Sequence, residues 1–280
     1  MIERLGRILR NERGQVVTGR AAAARPPIKA STLRKDAWWA LPLTVVLVLG
    51  SFIVYSTWAG LQNANYWAPP YLSPFYSPCL SAKCLHVTFG YGLPDISVPI
   101  IGILSPAFLI LWGPGLFRLT CYYYRKAYYR SFWLSPPACA VPEPHGKYTG
   151  ETRFPLIMQN AHRYFFFVVV LVSLINTYDA LKSFHGAGGF GLGLGNVILV
   201  VNVLLLWSYT LGCHSCRHIT LGRINHFSKH PVRYWLYQKA SLLNGKHMQL
   251  AWTSLGTLML TDAYIALVSS GTISDLRFIG

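Results

Sequence analysis

Apolar positions along the chain gather into five blocks separated by polar, cation-rich segments. No acidic or basic residue occurs between Asp36 and Lys83, between Asp95 and Arg118, or between Lys182 and Arg217. Each interval holds an apolar run of about 20 residues, enough to cross a ~30 Å hydrocarbon core as a helix. Two shorter runs, Tyr164–Tyr178 and Met248–Thr261, meet Asp179 and Asp262 near one end, and apolar residues continue beyond them. The pattern predicts an all-α integral membrane bundle of five transmembrane helices, over about 38–60, 97–119, 160–184, 190–212 and 247–270. A basic arm, 1–36, precedes this membrane domain, 37–275. The arm lacks an apolar core, so no cleavable signal peptide is expected.

Charge orients the bundle. Only 12% of the 280 residues are charged, yet the net charge is +16. Nine cations lie in the arm, seven in 118–163 and six in 214–246, whereas the alternate side carries only Lys83, Lys182 and Arg277. This asymmetry places the N-terminus in the cytoplasm and the C-terminus outside, in a multi-pass protein of the cell's inner (plasma) membrane. Because the cations sit in connections between spans, nucleic acid is not an expected partner. The arm suits anionic headgroups or a tether for a cytoplasmic partner. The stretch TCYYYRKAYYRSFW, which begins at Thr120, reads as an aromatic-basic helical continuation at headgroup level. It is either an aromatic belt or a docking surface for a soluble subunit.

The six cysteines divide with this topology. Cys79 and Cys84 fall in a Pro- and Tyr-rich outer loop, where a disulfide is permitted. Cys121, Cys139, Cys213 and Cys216 face the reducing side, which leaves metal ligation or packing. Cys121 closes one span, His162 opens the next, GCHSCRH (212–218) closes a third and His247 opens a fourth. Sparse polar stripes end at these residues: His162, Ser173 and Asn176 share one helical face, His247, Ser254 and Thr261 recur at sevens, and Asn202, Tyr209, Cys213 and Cys216 follow the same logic. Stripes facing lipid are costly, so they belong at the bundle centre.

Ligand type then separates the metals. Two thiolates and two imidazoles, Cys121, Cys213, His162 and His247, are the set used by a Rieske-type [2Fe–2S] cluster. His218, His214, Cys216 and Cys139 stand in reserve. His162 and His247 alone would serve a bis-imidazole haem b, and a structural zinc in a non-redox membrane protein would accept any four of the set. His145, His226 and His230 read as solvated surface residues. Asp179, Asp262 and Asn176 outline a proton path, or else the two acids are interfacial carboxylates. Quinone carbonyls need donors at the end of an apolar slot; Tyr209, Trp252, Ser173, Arg118 and Arg163 are the candidates.

The stretches LTCYYYRKAYYRSFW, SPPACAV, QNAHRYFF, GCHSCRHITLGR and KHMQLAWTSL cover most of residues 116–260. They resemble the membrane-anchor (cytochrome b-like) subunit of succinate dehydrogenase or fumarate reductase, complex II, in its actinobacterial branch. The resemblance implies a flavoprotein subunit that oxidises succinate, an iron–sulfur subunit that relays its electrons, and an anchor that reduces quinone in the respiratory chain. Five-helix anchors of the better-known sort hold two haems through four helical histidines. This chain lacks the outer histidine pairs and adds Cys121 and Cys213, which favours an iron–sulfur relay at the same step.

Overall fold

The computed structural model describes residues 34–80, 97–98, 102–103, 105–144, 154–186 and 188–279. The basic arm before Arg34, Cys84 and His145 lie outside the described residues. Among the described residues, seven α-helices carry the architecture: α1 (Ala40–Gln62), α2 (Pro106–Leu119), α3 (Tyr122–Ser131), α4 (Phe154–Lys182), α5 (Leu194–Leu211), α6 (Pro231–Gly245) and α7 (His247–Ser269). Four are long and apolar enough to cross a membrane: α1, α4 from Gln159, α5 and α7. Their starts and ends fall within a few residues of the predicted spans.

The second predicted span differs. In place of a helix over 97–119, Ser97–Val98 (β3) pairs antiparallel with Gly102–Ile103 (β4), and only 14 residues, Pro106–Leu119, are helical. Local chemistry explains the late start. Pro106 occupies the first turn, where its missing N–H costs nothing. Ser105 caps that turn by accepting from the Ala107 N–H at 3.4 Å. At ~1.5 Å per residue α2 covers about 21 Å, short of the hydrocarbon core. Residues 120 and 121 then break the helix before α3 resumes it.

The helices pack in the spatial order α2–α4–α5–α7–α1, with α3 against α1 and α2. Small residues permit the closest approaches, as expected where lipid removes the hydrophobic drive between helices. A Cβ on Gly113 of α2 would lie 2.6 Å from Val168 Cγ1 of α4. Short antiparallel pairs close the end opposite the cationic connections: the hairpins Trp67–Ala68 (β1) with Tyr71–Leu72 (β2) and His185–Gly186 (β5) with Gly189–Phe190 (β6), and the long-range pair Leu192–Gly193 (β7) with Arg277–Ile279 (β8). The loop from Tyr66 to Cys79 is deeply buried as a cap, with Tyr66 stacked on Tyr76 at 4.1 Å. Cys79 is disulfide-bonded and the other four described cysteines are free.

Candidate functional site

At the cationic end, a core cluster of Phe117, Cys121, Tyr124, Phe166, Val169, Tyr209, Cys213, Cys216, Ala251 and Leu255 surrounds the predicted ligands. The four primary ones are brought together as two pairs. His162 Nε2 lies 3.1 Å from Cys213 Sγ, and His247 Nε2 lies 3.8 Å from Cys121 Sγ. Each imidazole rests on an aromatic plate. Phe117 stacks on His162 (4.4 Å, 7°) and Tyr209 on His247 (4.9 Å, 6°).

Thr120 sets the tautomer of His162. Its hydroxyl donates to Leu116 O at 2.7 Å, which leaves its oxygen to accept from His162 Nδ1–H at 2.8 Å. Nε2 then turns an unprotonated lone pair toward Cys213, the orientation a metal-ligating histidine takes from its outer partner. The Ser215 N–H donates to Cys213 Sγ at 3.3 Å, and such bonds stabilise a thiolate. Burial pushes the Cys213 thiol up to about 12 and raises Cys121 as well. Both therefore keep their protons in the metal-free protein, and a metal must displace them. His247 Nδ1 is buried without a partner.

Among the described residues, no three His, Cys, Asp or Glu side chains converge on one point. The expected four-fold convergence is thus two Cys–His pairs facing one cavity of about 520 Å³, with Thr120, Cys121, His162, Cys213 and His247 in its wall. A lone tetrahedral ion requires all four donors at ~2.0–2.3 Å from a single centre. A Rieske-type cluster takes both thiolates on one iron and both imidazoles on the other, whereas here each imidazole faces a thiol, so the four donors match that set in kind and not in pairing. A bis-imidazole haem requires both Nε2 atoms to face each other across a porphyrin, and here each faces a thiol.

The reserve ligands separate. His214 and His218 are exposed on the wall of the same cavity, with desolvation and then Arg217 lowering the His214 pKa. Cys216 is buried in the core, 3.6 Å from Thr220 Oγ1 within a π-helical turn, Cys216–Thr220. Cys139 is exposed, and only its backbone carbonyl is engaged, by Arg34.

The candidate quinone contacts also divide. Arg118 is buried and donates to Tyr124 Oη, Ala251 O and Ser254 Oγ at 2.5, 3.2 and 3.1 Å, with its guanidinium 4.8 Å from the Tyr209 ring centroid. It stands where two cavities meet. One is an apolar cleft of about 540 Å³ lined by Leu49, Phe52, Leu111, Tyr124, Trp133 and Leu255. The other, about 40 Å³, has Ser173, Asn176, Tyr209 and Thr210 in its wall. Trp252 flanks Tyr124 at 5.6 Å. Arg163 is exposed on the metal-side cavity, away from the cleft. Tyr124 was hidden in the tyrosine run, where an aromatic belt was the simplest reading. Burial raises its phenol to about 12, so it remains a proton donor.

The two acids are held by the cap. Asp262 accepts from Tyr55 Oη at 2.7 Å and from Ser73 Oγ, and Asp179 accepts from Ser77 Oγ while its Oδ1 is buried without a partner. They lie 15 and 17 residues along α7 and α4 from His247 and His162, roughly 22 and 25 Å at 1.5 Å per residue. Asn176 donates to Val172 O within α4 and borders the small cavity between the two ends.

With this geometry in place, comparison with known proteins is informative. Residues 40–271 match the family described as actinobacterial succinate dehydrogenase subunit SdhC. A chain of the Mycobacterium smegmatis Sdh1 complex in the apo form is 58% identical, with a TM-score of 0.81, covering 94% of this chain and 98% of that one. No curated relative matches the chain.

Proposed function

The chain belongs to the actinobacterial succinate dehydrogenase SdhC family and is the membrane-anchor subunit of a succinate dehydrogenase complex, and we propose that it passes electrons from a partner iron–sulfur subunit to quinone through a Rieske-type [2Fe–2S] centre. The observation that supports this reading is the presence of two thiols and two imidazoles, Cys121, Cys213, His162 and His247, in the wall of one cavity at the cationic end. When bound there, such a cluster would supply one-electron transfer at a potential raised by its imidazole ligands. The protein's own groups prepare the site: Thr120 orients His162, Ser215 donates to Cys213, and an aromatic ring packs against one face of each imidazole.

Quinone is the substrate of the next step. The apolar cleft takes its ring and tail, and Arg118 with Tyr124 supplies donors at the closed end, as such sites require. Electrons have a short route, since Arg118 lies over the ring of Tyr209, which stacks on His247. Asp262, Asp179 and Asn176 remain the proposed proton path, with the small cavity beside Arg118 as its middle. The flavoprotein and iron–sulfur subunits are the expected partners, docking at the cationic end where Tyr122, Phe132 and Trp133 are exposed.

Iron and acid-labile sulfide analysis of the purified complex, joined to an optical spectrum, tests this reading. The proposal requires two irons and two sulfides beyond the soluble subunits' clusters. Sharp reduced cytochrome b bands would replace the cluster with haem, and zinc without extra iron would remove electron transfer from the subunit.

A further inference from the structure

Helix α6 lies outside the four long apolar helices and has one face that the described residues leave uncovered. Its packed face is accounted for: Ala240 is buried, Asn244 Nδ2 donates to Gly212 O at 2.8 Å, Arg233 donates to Gly222 O at 2.5 Å, and Arg217 lies 5.6 Å from the Tyr237 ring centroid. The opposite face carries Val232, Trp235, Leu236, Lys239, Leu242 and Lys246 at helical spacings of three and four. Val232 and Leu242 are each 70% exposed and Trp235 is 54% exposed, so this is an apolar stripe with Lys239 in its middle and Lys246 at its end.

We propose that this stripe is a binding site for anionic phospholipid in the leaflet at the cationic end of the bundle. Three observations favour a lipid occupant. Lys246 alone separates α6 from α7, so one end of the stripe sits at the depth where an apolar span begins. The Lys239 ammonium lies 5.5 Å from the Trp235 ring centroid, with stem and ring on the apolar surface and the charge free to meet a phosphate. Between Asp179 and Asp262 the sequence has no acidic residue, and the inner part of that interval, 214–246, carries six cations. That complement suits an anionic surface.

The test uses the whole complex purified in mild detergent, counting retained phosphatidylglycerol by native mass spectrometry. Lys239→Gln/Lys246→Gln should lower occupancy of the tightest lipid by roughly fivefold per lysine. Lys239→Arg/Lys246→Arg should keep it, and Lys126→Gln, a cation of α3, should not change it. Unaltered lipid in the glutamine variant overturns the proposal. So does loss of the soluble subunits from that variant, which would make the stripe a protein interface. Thermal stabilisation of the wild-type complex by phosphatidylglycerol over phosphatidylcholine is the accompanying expectation, and equal stabilisation by both lipids also overturns it.

Discussion

Replacing Arg118 by Met separates a structural cation from a functional one. Arg118 is 8% exposed, and its hydrogen-bond partners are all neutral. Replacing buried ion pairs by apolar side chains is often neutral or stabilising, by about 1–4 kcal/mol, and a guanidinium with only neutral partners has no ion-pair attraction to lose. Little is orphaned, because Tyr124 Oη still donates to Ala251 O at 2.6 Å and Ser254 Oγ to the same carbonyl at 3.2 Å. The lost cation–π contact with Tyr209 costs about 0.5–2 kcal/mol. The two effects nearly offset, so the complex should assemble with its stability changed by less than about 2 kcal/mol. Quinone chemistry differs, since a donor aimed at developing negative charge is worth roughly 10²–10³ in rate, or about 2.7–4 kcal/mol. The assay is succinate oxidation read two ways on one preparation. Reduction of a soluble dye by the partner subunits should hold, and quinone reduction should fall by about a hundredfold or more. Quinone turnover within about threefold of wild type, in an intact complex, would refute the assignment of Arg118.

Three further outcomes are expected. His162→Ala/His247→Ala should leave the subunits associated while removing the extra iron and quinone reduction together, and unchanged turnover would exclude both residues as ligands. Asp262→Asn keeps an acceptor for one of Tyr55 and Ser73, which meet different carboxylate oxygens, and turns an amide N–H toward the other, so thermal stability should fall by about 1–3 kcal/mol. If the carboxylate carries protons, steady-state quinone reduction falls in the assembled complex as well, and full activity assigns Asp262 to the cap alone. Gly195→Ala would set a Cβ 2.5 Å from the buried Tyr71 ring, an overpacking cost of about 1–3 kcal/mol, visible as a lowered unfolding temperature and absent only if Tyr71 moves freely.

Much of this architecture is readable in one sequence because lipid enforces long uncharged runs, and α1, α4, α5 and α7 follow them closely. The second span was misread for a local reason. Hydropathy averages over the whole run, whereas the Ser105 cap and Pro106 in the first turn decide where the helix starts. Helix α6 leaves no continuous apolar run in the sequence because its exposed apolar residues line one face only. In the site, Cys and His are scarce enough that their coincidence at four span ends marked the pairs. Which cysteine faces which histidine depends on how α2, α4, α5 and α7 pack, which spacing does not encode. The neutral surroundings of Arg118 and the inward turn of Tyr124 are likewise products of packing.

The most direct measurement is low-temperature electron paramagnetic resonance of the reduced complex, wild type against His162→Ala/His247→Ala. A nitrogen- and sulfur-ligated binuclear cluster predicts a signal of lower average g value than the thiolate-only clusters, present in the wild type and missing from the variant. A wild-type spectrum accounted for by the soluble subunits' clusters alone would contradict the account.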